Sequence, residues 1–374
     1  MKLCRVFLIL AVLLLAYCTA VVFILAWPYS LVVIPIAGWL KRRSWWSGAH
    51  GSARWADDKD LRRAGMLNPD EGIILGRLES ETTFTEGVKG LLNRKLPSAE
   101  ACERFLRALR RKPTIDTVRL SNAVHTAVFA PTGVGKGISI VIPHLLTCPD
   151  ATVVVDFKGE LAKATAEHRR TKFGHRIVML DPFKVVTRSP DSFNPLDWID
   201  QHEMTSIDDC RDLAEALVLR TGQERDPHWA DSAEVWIAAM TALVVSVGEP
   251  GNRSLQTIRA LLTNTQQMEI AIKEMCRSEA WDGMLSRLGH QLTHFRDKEL
   301  GSVLTSTNRF LRFLDTPAVA ECTTSSSFDP ADLNGGRMTV YLILPPDHMR
   351  AQSSLLRMWI GSLMRAVVRG GLRG

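Results

Sequence analysis

The chain has 374 residues, a formal net charge of +6 and seven cysteines. Its length is enough for two domains of ordinary size plus a further segment, and its mild positive charge neither requires nor excludes contact with DNA or anionic lipid. The cysteines are scattered, without a CxxC pair or a Cys/His cluster, which excludes a zinc-finger site and a disulfide framework.

A membrane anchor is predicted over residues 1–44. Residues 6–40 are almost wholly apolar, and Val6–Ala26 alone is long enough to cross a bilayer as a helix. Basic residues at both ends of the apolar region favour a hairpin with two cytoplasmic flanks, whereas the short arms of such a hairpin favour a single span. In both topologies Lys41–Arg43 place the following residues in the cytoplasm.

Residues 45–116 are predicted to form a linker and the first part of a nucleotide-binding domain. A Trp- and Gly-rich stretch leads into a short charged helix, Asp57–Ala64, and Ile73–Gly76 has the pattern of a strand. A basic, helix-like run, Ala99–Lys112, has two interpretations. It is either a solvated helix face or a surface that contacts nucleic acid or a membrane.

Residues 117–200 alternate between short apolar runs and helical segments, which predicts a parallel sheet covered on both faces. Ligands of such sheets bind at the carboxyl ends of the strands. Lys136, Asp156 and Asp181 each follow a predicted strand. The three strands are predicted at Val124–Ala130, Thr152–Val155 and Ile177–Leu180, with helices from the glycine loop to Leu146 and over Gly159–Lys172.

The glycine loop, Ala130-Pro-Thr-Gly-Val-Gly-Lys136-Gly137, predicts a phosphate site because consecutive main-chain N–H groups and a helix N-terminus attract anions. It departs from the common P-loop pattern at Ala130, where a glycine is usual, and at Gly137, where a hydroxyl usually ligates Mg²⁺. A Gly-rich turn with a solvated lysine is the alternative interpretation. The residues predicted to bind nucleotide are Thr132, Gly133, Val134, Gly135, Lys136 and Gly137.

A metal site is predicted at Asp156 and Glu160, in the segment Asp156-Phe-Lys-Gly-Glu160. A carboxylate at a strand end often holds Mg²⁺ or its water in P-loop enzymes. Aspartate also commonly ends a buried strand as a turn or helix cap, so the structural interpretation stays open for Asp156 and Asp181.

Residues 201–330 lack strand signals and show helical periodicity, which predicts an all-α domain. A central strand over Arg337–Leu344 and an amphipathic helix over Met349–Val368 then return the chain to the first domain at residues 331–374. The predicted fold is therefore α/β, with an inserted all-α domain. The helices are predicted at Ser206–Arg220, Asp226–Val247, Ser254–Leu262, Met268–Cys276 and Val303–Leu314.

Five segments in combination resemble the TraG-type coupling proteins of type IV secretion, from about residue 50 to the C-terminus. They are Gly51-Ser-Ala-Arg-Trp-Ala56, the glycine loop through Pro143, Val154-Val-Asp-Phe-Lys-Gly-Glu160, Ser192-Phe-Asn-Pro-Leu-Asp197 and Thr339-Val-Tyr-Leu-Ile-Leu-Pro-Pro346. The resemblance implies a RecA-like P-loop NTPase domain that uses ATP and Mg²⁺, in a homo-hexamer at the bacterial inner membrane. It also implies recruitment of a relaxase–DNA complex, or of secreted proteins, to the type IV channel. In that family Gly137 is an ordinary feature.

One departure from the family concerns its Walker B strand, which ends in Asp-Glu and follows the helix predicted here at Met349–Val368. The chain ends before such a strand, so we expect it to be truncated relative to the family. A receptor or scaffold that does not hydrolyse ATP, or a remnant of the ATPase, is the alternative function. A chromosome-segregation type of DNA pump shares the core, but the helical insertion disfavours it.

Overall fold

The computed structural model describes residues 8–20, 56–69, 72–81, 84–93, 95–110, 113–121, 125–220, 222, 226–249 and 251–372. The chain divides into two compact units, residues 1–144 and 145–374. The domain boundaries predicted from the sequence stay predictions.

The first unit contains one described pair of antiparallel strands and several short helices. The strands pair from Ile73 opposite Leu120 to Glu81 opposite Pro113, with a register shift between Ile74 and Gly76. The elements are α1 (Leu8–Ala20), α2 (Asp58–Arg63), β1 (Ile73–Glu81), α3 (Phe84–Leu92), α4 (Ser98–Leu109), β2 (Pro113–Leu120), a π-helical turn (Gly137–Val141) and the start of α5 (Ile142–Thr147).

The predicted basic run, Ala99–Lys112, is helical as far as Leu109, where α4 ends, and residues 111–112 lie outside the described residues. Arg104 and Arg107 each contact a glutamate one turn earlier, Glu100 at 2.9 Å and Glu103 at 2.6 Å. Such i,i+4 pairs are typical of a solvated helix surface and contribute only a few tenths of a kcal/mol. For these two arginines the structure supports the solvated face.

The predicted membrane anchor is only partly described. Leu8–Ala20 is an apolar helix inside the predicted span, whereas residues 21–44 lie outside the described residues. Within the described ranges, one helix, His228–Val247, is long and apolar enough to cross a membrane, but 72% of its apolar window is buried inside the fold. The length and composition of His228–Val247 are equally typical of a buried core helix and of a membrane span.

The second unit contains a parallel sheet and the helical segment. Its elements are β3 (Thr152–Asp156), α6 (Glu160–Phe173), β4 (Arg176–Leu180), α7 (Ser206–Leu217), α8 (His228–Val247), α9 (Leu255–Thr263), α10 (Thr265–Arg277), α11 (Ala280–Leu292), α12 (Asp297–Leu311), α13 (Pro317–Thr323), β5 (Met338–Ile343) and α14 (Ser353–Leu372). Short 3₁₀ turns lie at Pro195–Trp198, Arg312–Asp315 and Pro330–Gly335.

The three strands of this unit are parallel, in the order β3-β5-β4, which confirms the predicted parallel pairing. Every residue of β5 from Met338 to Ile343 is buried, because the strand is central and both faces are covered. The chain leaves this sheet after β4, forms helices α7 to α13, and returns in β5 between the two earlier strands. The helices are therefore an insertion into one sheet.

Sheet and inserted helices share one continuous apolar core. Val178 and Leu342 from the sheet belong to the same buried cluster as Trp236 from α8 and Trp359 from α14. Helix α8 is apolar nearly all round, as expected for a helix surrounded by others. The predicted helices that became α7, α8, α9, α10 and α12 are confirmed with shifted ends.

One predicted strand is wrong, and three described helices and one described strand were not predicted. Residues 125–130 are exposed and have no regular structure, and Phe129 is 94% exposed. No described strand pairs with this apolar run, so its main chain lacks the partners that a strand requires. Helices α3, α11 and α13 and strand β2 were not predicted, and α14 begins at Ser353 instead of Met349.

Candidate nucleotide-binding site

The glycine loop adopts a tight conformation that its glycines permit. Gly133 has φ +87° and Gly135 has φ +85°, values that residues with a Cβ rarely adopt. The π-helical turn begins at Gly137. Ser139 N, within this turn, donates to Gly135 O at 2.8 Å. The loop therefore ends at the N-terminus of a helical segment, as predicted.

The main-chain N–H groups of this loop make it suitable for an anion. The N–H groups of Thr132, Gly133, Val134 and Gly135 donate no hydrogen bond to any described part of the chain. All four residues are at the surface or half-buried. Successive N–H groups in such a turn form a concave site for a phosphate, and the helix start that follows adds positive potential.

Lys136 is bound by its own loop. Its Nζ donates to the carbonyl oxygens of Ala130 at 2.6 Å and Pro131 at 2.9 Å. These contacts hold the ammonium against the first residues of the loop. No hydroxyl follows Lys136 directly, and the nearest downstream one belongs to Ser139, which is exposed.

Asp156 lies at the end of β3, as predicted, and is 3% exposed. Its Oδ2 accepts from Ala162 N at 2.8 Å and its Oδ1 from Lys158 N at 3.3 Å. The carboxylate thus shapes the turn from β3 into α6, which is the capping arrangement that the sequence left open. Glu160, the first residue of α6, is exposed.

These contacts do not decide the metal assignment of Asp156 and Glu160. Each carboxylate oxygen can accept more than one bond, and Mg²⁺ usually takes only one or two protein carboxylates besides water and phosphate. Among the described residues, no three His, Cys, Asp or Glu side chains are grouped as metal ligands. The assignment therefore stays a prediction.

Asp181, at the end of β4, organises the next loop. Its two carboxylate oxygens accept from three main-chain N–H groups, those of Val185 at 2.9 Å, Val186 at 2.7 Å and Thr187 at 3.0 Å. Asp181 is completely buried, and these charge-assisted bonds compensate for the lost hydration of its carboxylate. The Asp181 side chain therefore holds the loop that follows β4 in its conformation.

The loops after β3 and β4 pack against each other. Gly159 has φ +71°, and a Cβ on it would lie 2.3 Å from Cγ2 of Val186. Glycine is needed there for its backbone conformation and for the close approach of Val186. At the end of β5, His348 stacks on Phe183 of the β4 loop with ring centroids 4.0 Å apart. Sequence reasoning missed this stacking, because neither residue belongs to a recognisable motif.

The Ser192–Asp197 segment has a structural role. Asn194 is completely buried, and its Nδ2 donates to Asp197 Oδ1 at 2.8 Å and to Arg253 O at 2.7 Å. Its own N–H donates to Ser326 Oγ at 3.0 Å. These bonds join the chain after β4 to two segments of the helical insertion, which explains why the motif needs an asparagine.

A buried arginine at the opposite end of the sheet was also missed. Arg169 of α6 has no exposed surface and donates to the carbonyl oxygens of Leu145, Cys148 and Asp150 at 2.6 to 2.8 Å. Burial lowers the pKa of its guanidinium. Because no sequence pattern marks an arginine that binds carbonyl groups, periodicity alone predicts an ordinary surface residue.

His175 completes this buried network. Its Nε2 lies 2.7 Å from Pro149 O and its Nδ1 2.9 Å from Thr339 Oγ1, an arrangement that suits the neutral ring with the proton on Nε2. Burial is the main cause that lowers the pKa of His175, and the charge of Arg169 adds to it. The network ties α5, α6 and β5 together.

Comparison with known proteins identifies the family that these motifs come from. The model of the family described as type IV secretory system conjugative DNA transfer matches residues 54–371. The chain belongs to this family. The match spans the glycine loop, all three parallel strands and the helical insertion, so the resemblance stated from the sequence is confirmed.

The relatives carry matching names. The conjugal transfer protein TraG of Escherichia coli is 26% identical over 329 residues, which cover 84% of this chain and 48% of that protein. TraG of Agrobacterium fabrum is 28% identical over 337 residues, covering 87% and 48%. The type IV secretion system-coupling protein VirD4 of Bartonella quintana is 23% identical over 253 residues, covering 66% and 39%. This chain thus spans about half the length of the relatives it matches.

Solved structures give a weaker likeness. The bacterial conjugative coupling protein TrwB superimposes with a TM-score of 0.43 at 15% identity, over 63% of this chain and 49% of that one. A TrwB structure in complex with ADP and Mg²⁺ gives a TM-score of 0.42 at the same identity.

Proposed function

We propose that this protein is a coupling protein of type IV secretion that binds ATP with Mg²⁺ and recruits substrates to the secretion channel. The observation that carries the proposal is the glycine loop, where free main-chain N–H groups, two left-handed glycines and Lys136 meet at a helix start. Membership of the conjugative DNA transfer family supports it, as do relatives named TraG and VirD4.

In this function Thr132 to Gly137 hold the phosphates, with the main-chain N–H groups as donors and Lys136 as the counter-charge. Mg²⁺, when bound with the nucleotide, would neutralise phosphate charge, and Asp156 and Glu160 are the carboxylates proposed to lie near it. The RecA-like assignment of the sheet, with the helices as an insertion, belongs to the same proposal. We assign nucleotide binding, and not hydrolysis, to these residues.

The cellular part of the proposal follows from the family. The substrates are a relaxase–DNA complex or secreted proteins, and the partner is the type IV channel. The apolar helix Leu8–Ala20 supports attachment to the bacterial inner membrane, with the nucleotide-binding domain in the cytoplasm. A homo-hexamer is the proposed assembly. The alternative, a scaffold that binds substrates without nucleotide, is not favoured. No observation points to it specifically, and the glycine loop keeps the main-chain donors that a phosphate needs.

Nucleotide affinity tests the site directly. The full chain in detergent should bind a fluorescent ATP analogue in the presence of Mg²⁺, and Lys136→Ala should weaken binding more than tenfold, about 1.4 kcal/mol. Lys163→Ala, which removes an exposed lysine from α6, is the matched control and should leave the affinity unchanged. Equal affinities for the wild type and Lys136→Ala would exclude the loop as the phosphate site.

The metal assignment needs a separate measurement. Glu160→Gln keeps the size of an exposed side chain while removing its charge, so folding should be unaffected. We expect it to reduce the gain in nucleotide affinity that Mg²⁺ produces, without changing binding in the presence of EDTA. If the gain is the same as in the wild type, Glu160 has no role at the metal.

A further inference from the structure

A cavity of about 540 Å³ lies in the second unit, where the chain enters and leaves the helical insertion. Its lining comes from the 3₁₀ turn and loop before α7, from α7 itself, from the 3₁₀ turn at Pro330–Gly335 and from the last turns of α14. Volumes of about 300 to 1,000 Å³ are typical of small-molecule sites, which often lie at junctions between domains. The size and position of this cavity therefore suit a ligand.

The lining has more negative than positive side chains. The charged residues are four acids and two arginines, namely Asp197, Asp200, Glu203, Asp209, Arg365 and Arg369. Both arginines are already engaged, because Arg369 is bonded to Oδ1 of Asp209 and Nη2 of Arg365 lies 2.9 Å from Oδ2 of Asp212. The cavity thus keeps an excess of negative charge, which favours a cation.

Asp209 supplies a specific acceptor for such a cation. It is 3% exposed, and its Oδ2 has no hydrogen-bond donor among the described residues. Burial is the main cause that raises the pKa of this carboxyl, although Arg369 and Arg365 act in the opposite direction. The two arginines therefore compensate the buried charge only in part. A buried carboxylate oxygen without a donor is unfavourable, and a ligand that donates to it gains that free energy.

The arrangement suits an organic cation better than a metal ion. Within the described ranges, no three His, Cys, Asp or Glu side chains are grouped to hold a metal, whereas Mg²⁺ and Ca²⁺ need several oxygen ligands around one point. The cavity also has apolar surface from Ile199, Leu213 and Ala366, and an aromatic ring from Trp198. Methylene groups pack on apolar surface, and ammonium groups are attracted to aromatic rings.

The acids of the cavity differ in exposure, which favours a ligand with more than one positive charge. Asp200 is exposed and Glu203 is half-buried, whereas Asp209 is buried. We propose that this cavity binds an aliphatic polyamine, with one ammonium group donating to Oδ2 of Asp209 and another pairing with Asp200 and Glu203. Such charge-assisted bonds are about twice as strong as those between neutral groups.

Binding at this place should affect the stability of the second unit. The lining combines α7, the first helix of the insertion, with α14, which follows β5 of the sheet. A ligand that binds the folded state and not the unfolded chain stabilises the fold by mass action. Spermidine should therefore raise the midpoint of thermal unfolding in a concentration-dependent way.

The test is isothermal titration of spermidine into the full chain in detergent, without nucleotide and at physiological ionic strength. Asp209→Asn replaces the free carboxylate oxygen by an uncharged amide and should weaken binding about tenfold or more. Absence of measurable binding to the wild type, or an unchanged affinity in Asp209→Asn, would overturn the proposal.

A second variant covers the case in which Asp209→Asn does not fold. Asp200→Asn/Glu203→Gln keeps the size of both side chains, and the new amide oxygen at position 200 can still accept from His202 N, as Oδ1 of Asp200 does at 2.9 Å. It should also weaken spermidine binding about tenfold or more, because it removes two charges from the cavity. An unchanged affinity in this variant would equally overturn the proposal.

The matched control removes two negative charges elsewhere in the same unit, as Glu269→Gln/Glu279→Gln, from exposed positions on α10 and just before α11. Exposed charges outside the cavity are screened by salt, so the control should leave the affinity within about twofold of the wild type. Equal losses in the two double variants would show a general effect of net charge and would overturn the proposed site.

Other cations identify the class of ligand. Butylamine, with a single ammonium group, and Mg²⁺ should each bind more weakly than spermidine, and equal or tighter binding of either would overturn the polyamine assignment. A lysine-rich peptide that displaces spermidine at lower concentration than spermidine itself would assign the cavity to a side chain of a partner protein instead. Lys136→Ala should keep the wild-type affinity for spermidine, so this proposal and the glycine-loop proposal can fail separately.

Discussion

Arg169→Met tests how the buried guanidinium holds the second unit together. The wild-type side chain donates five bonds, to the carbonyl oxygens of Leu145, Cys148 and Asp150 and to the hydroxyls of Thr152 and Thr339. Methionine has a similar length but no donor. The substitution therefore leaves three carbonyl groups and two hydroxyls without their charged partner.

The magnitude follows from these contacts. A buried carbonyl that loses its donor costs about 1 to 3 kcal/mol, so three of them give about 3 to 9 kcal/mol. Removing the guanidinium also removes the cost of burying its charge, which offsets part of this loss. Water can reach some of the half-buried carbonyls. We therefore expect the free energy of unfolding to fall by about 3 to 5 kcal/mol.

Urea unfolding followed by tryptophan fluorescence measures the change, because Trp236 and Trp359 are completely buried in this unit. With a slope of about 2 kcal/mol/M, the midpoint should fall by roughly 2 M. The control is Arg170→Met at the next position, where an exposed arginine pairs only with Glu167 and the loss is about 0.5 kcal/mol or less. Similar midpoints for the two variants would refute the stabilising role of Arg169.

Three further predictions concern the loops and the network around the sheet. The folded state keeps His175 neutral, with its pKa below the ordinary 6.5. The free energy of unfolding should therefore fall as the pH drops below about 6.5. In urea titrations at several pH values, His175→Gln should make this decline smaller. Gly159→Ala should destabilise the fold by about 2 kcal/mol more than Gly174→Ala. Gly174 also has a positive φ, +69°, but the space around it is open, whereas a Cβ on Gly159 would meet Val186. Equal losses of stability in thermal unfolding would show that the contact with Val186 has no energetic cost. Asp181→Asn places an amide donor against the loop N–H groups and should lower the free energy of unfolding by about 2 to 3 kcal/mol. Amide hydrogen exchange at Val186 should become faster, and an unchanged rate would contradict the role of Asp181 in holding the loop.

The sequence predicted the parallel sheet well because its strands are mostly apolar and an aspartate, Asp156 or Asp181, marks the end of β3 and of β4. Thr152–Asp156 and Arg176–Leu180 differ from their predicted ranges by one residue at one end. It failed at residues 125–130, where the same apolar pattern is present without a paired strand. Local pattern reports the preference of a segment, whereas a strand also requires hydrogen-bonding partners from elsewhere in the chain.

The candidate site was predictable where backbone geometry depends on residue type. Gly133 and Gly135 have positive φ, as a phosphate loop requires, and both could be recognised from the motif. The role of Asp181 could not be chosen in advance, because a strand-end aspartate suits a metal and a loop equally well. Three bonds to main-chain N–H groups now assign it to the loop.

The contacts of Lys136 explain how a loop of this kind can bind phosphate without a large rearrangement. In the structure its Nζ is bound by two neutral carbonyl oxygens, those of Ala130 and Pro131. A phosphate carries full negative charge, and a charge-assisted bond to it is about twice as strong as one between neutral groups. In the proposed function, Lys136 would therefore gain by exchanging a carbonyl oxygen for a phosphate oxygen, and the two carbonyls hold its ammonium at the loop when no phosphate is bound. The positive φ angles of Gly133 and Gly135 and the position of Lys136 therefore support the proposed phosphate site, even though Gly137 supplies no hydroxyl.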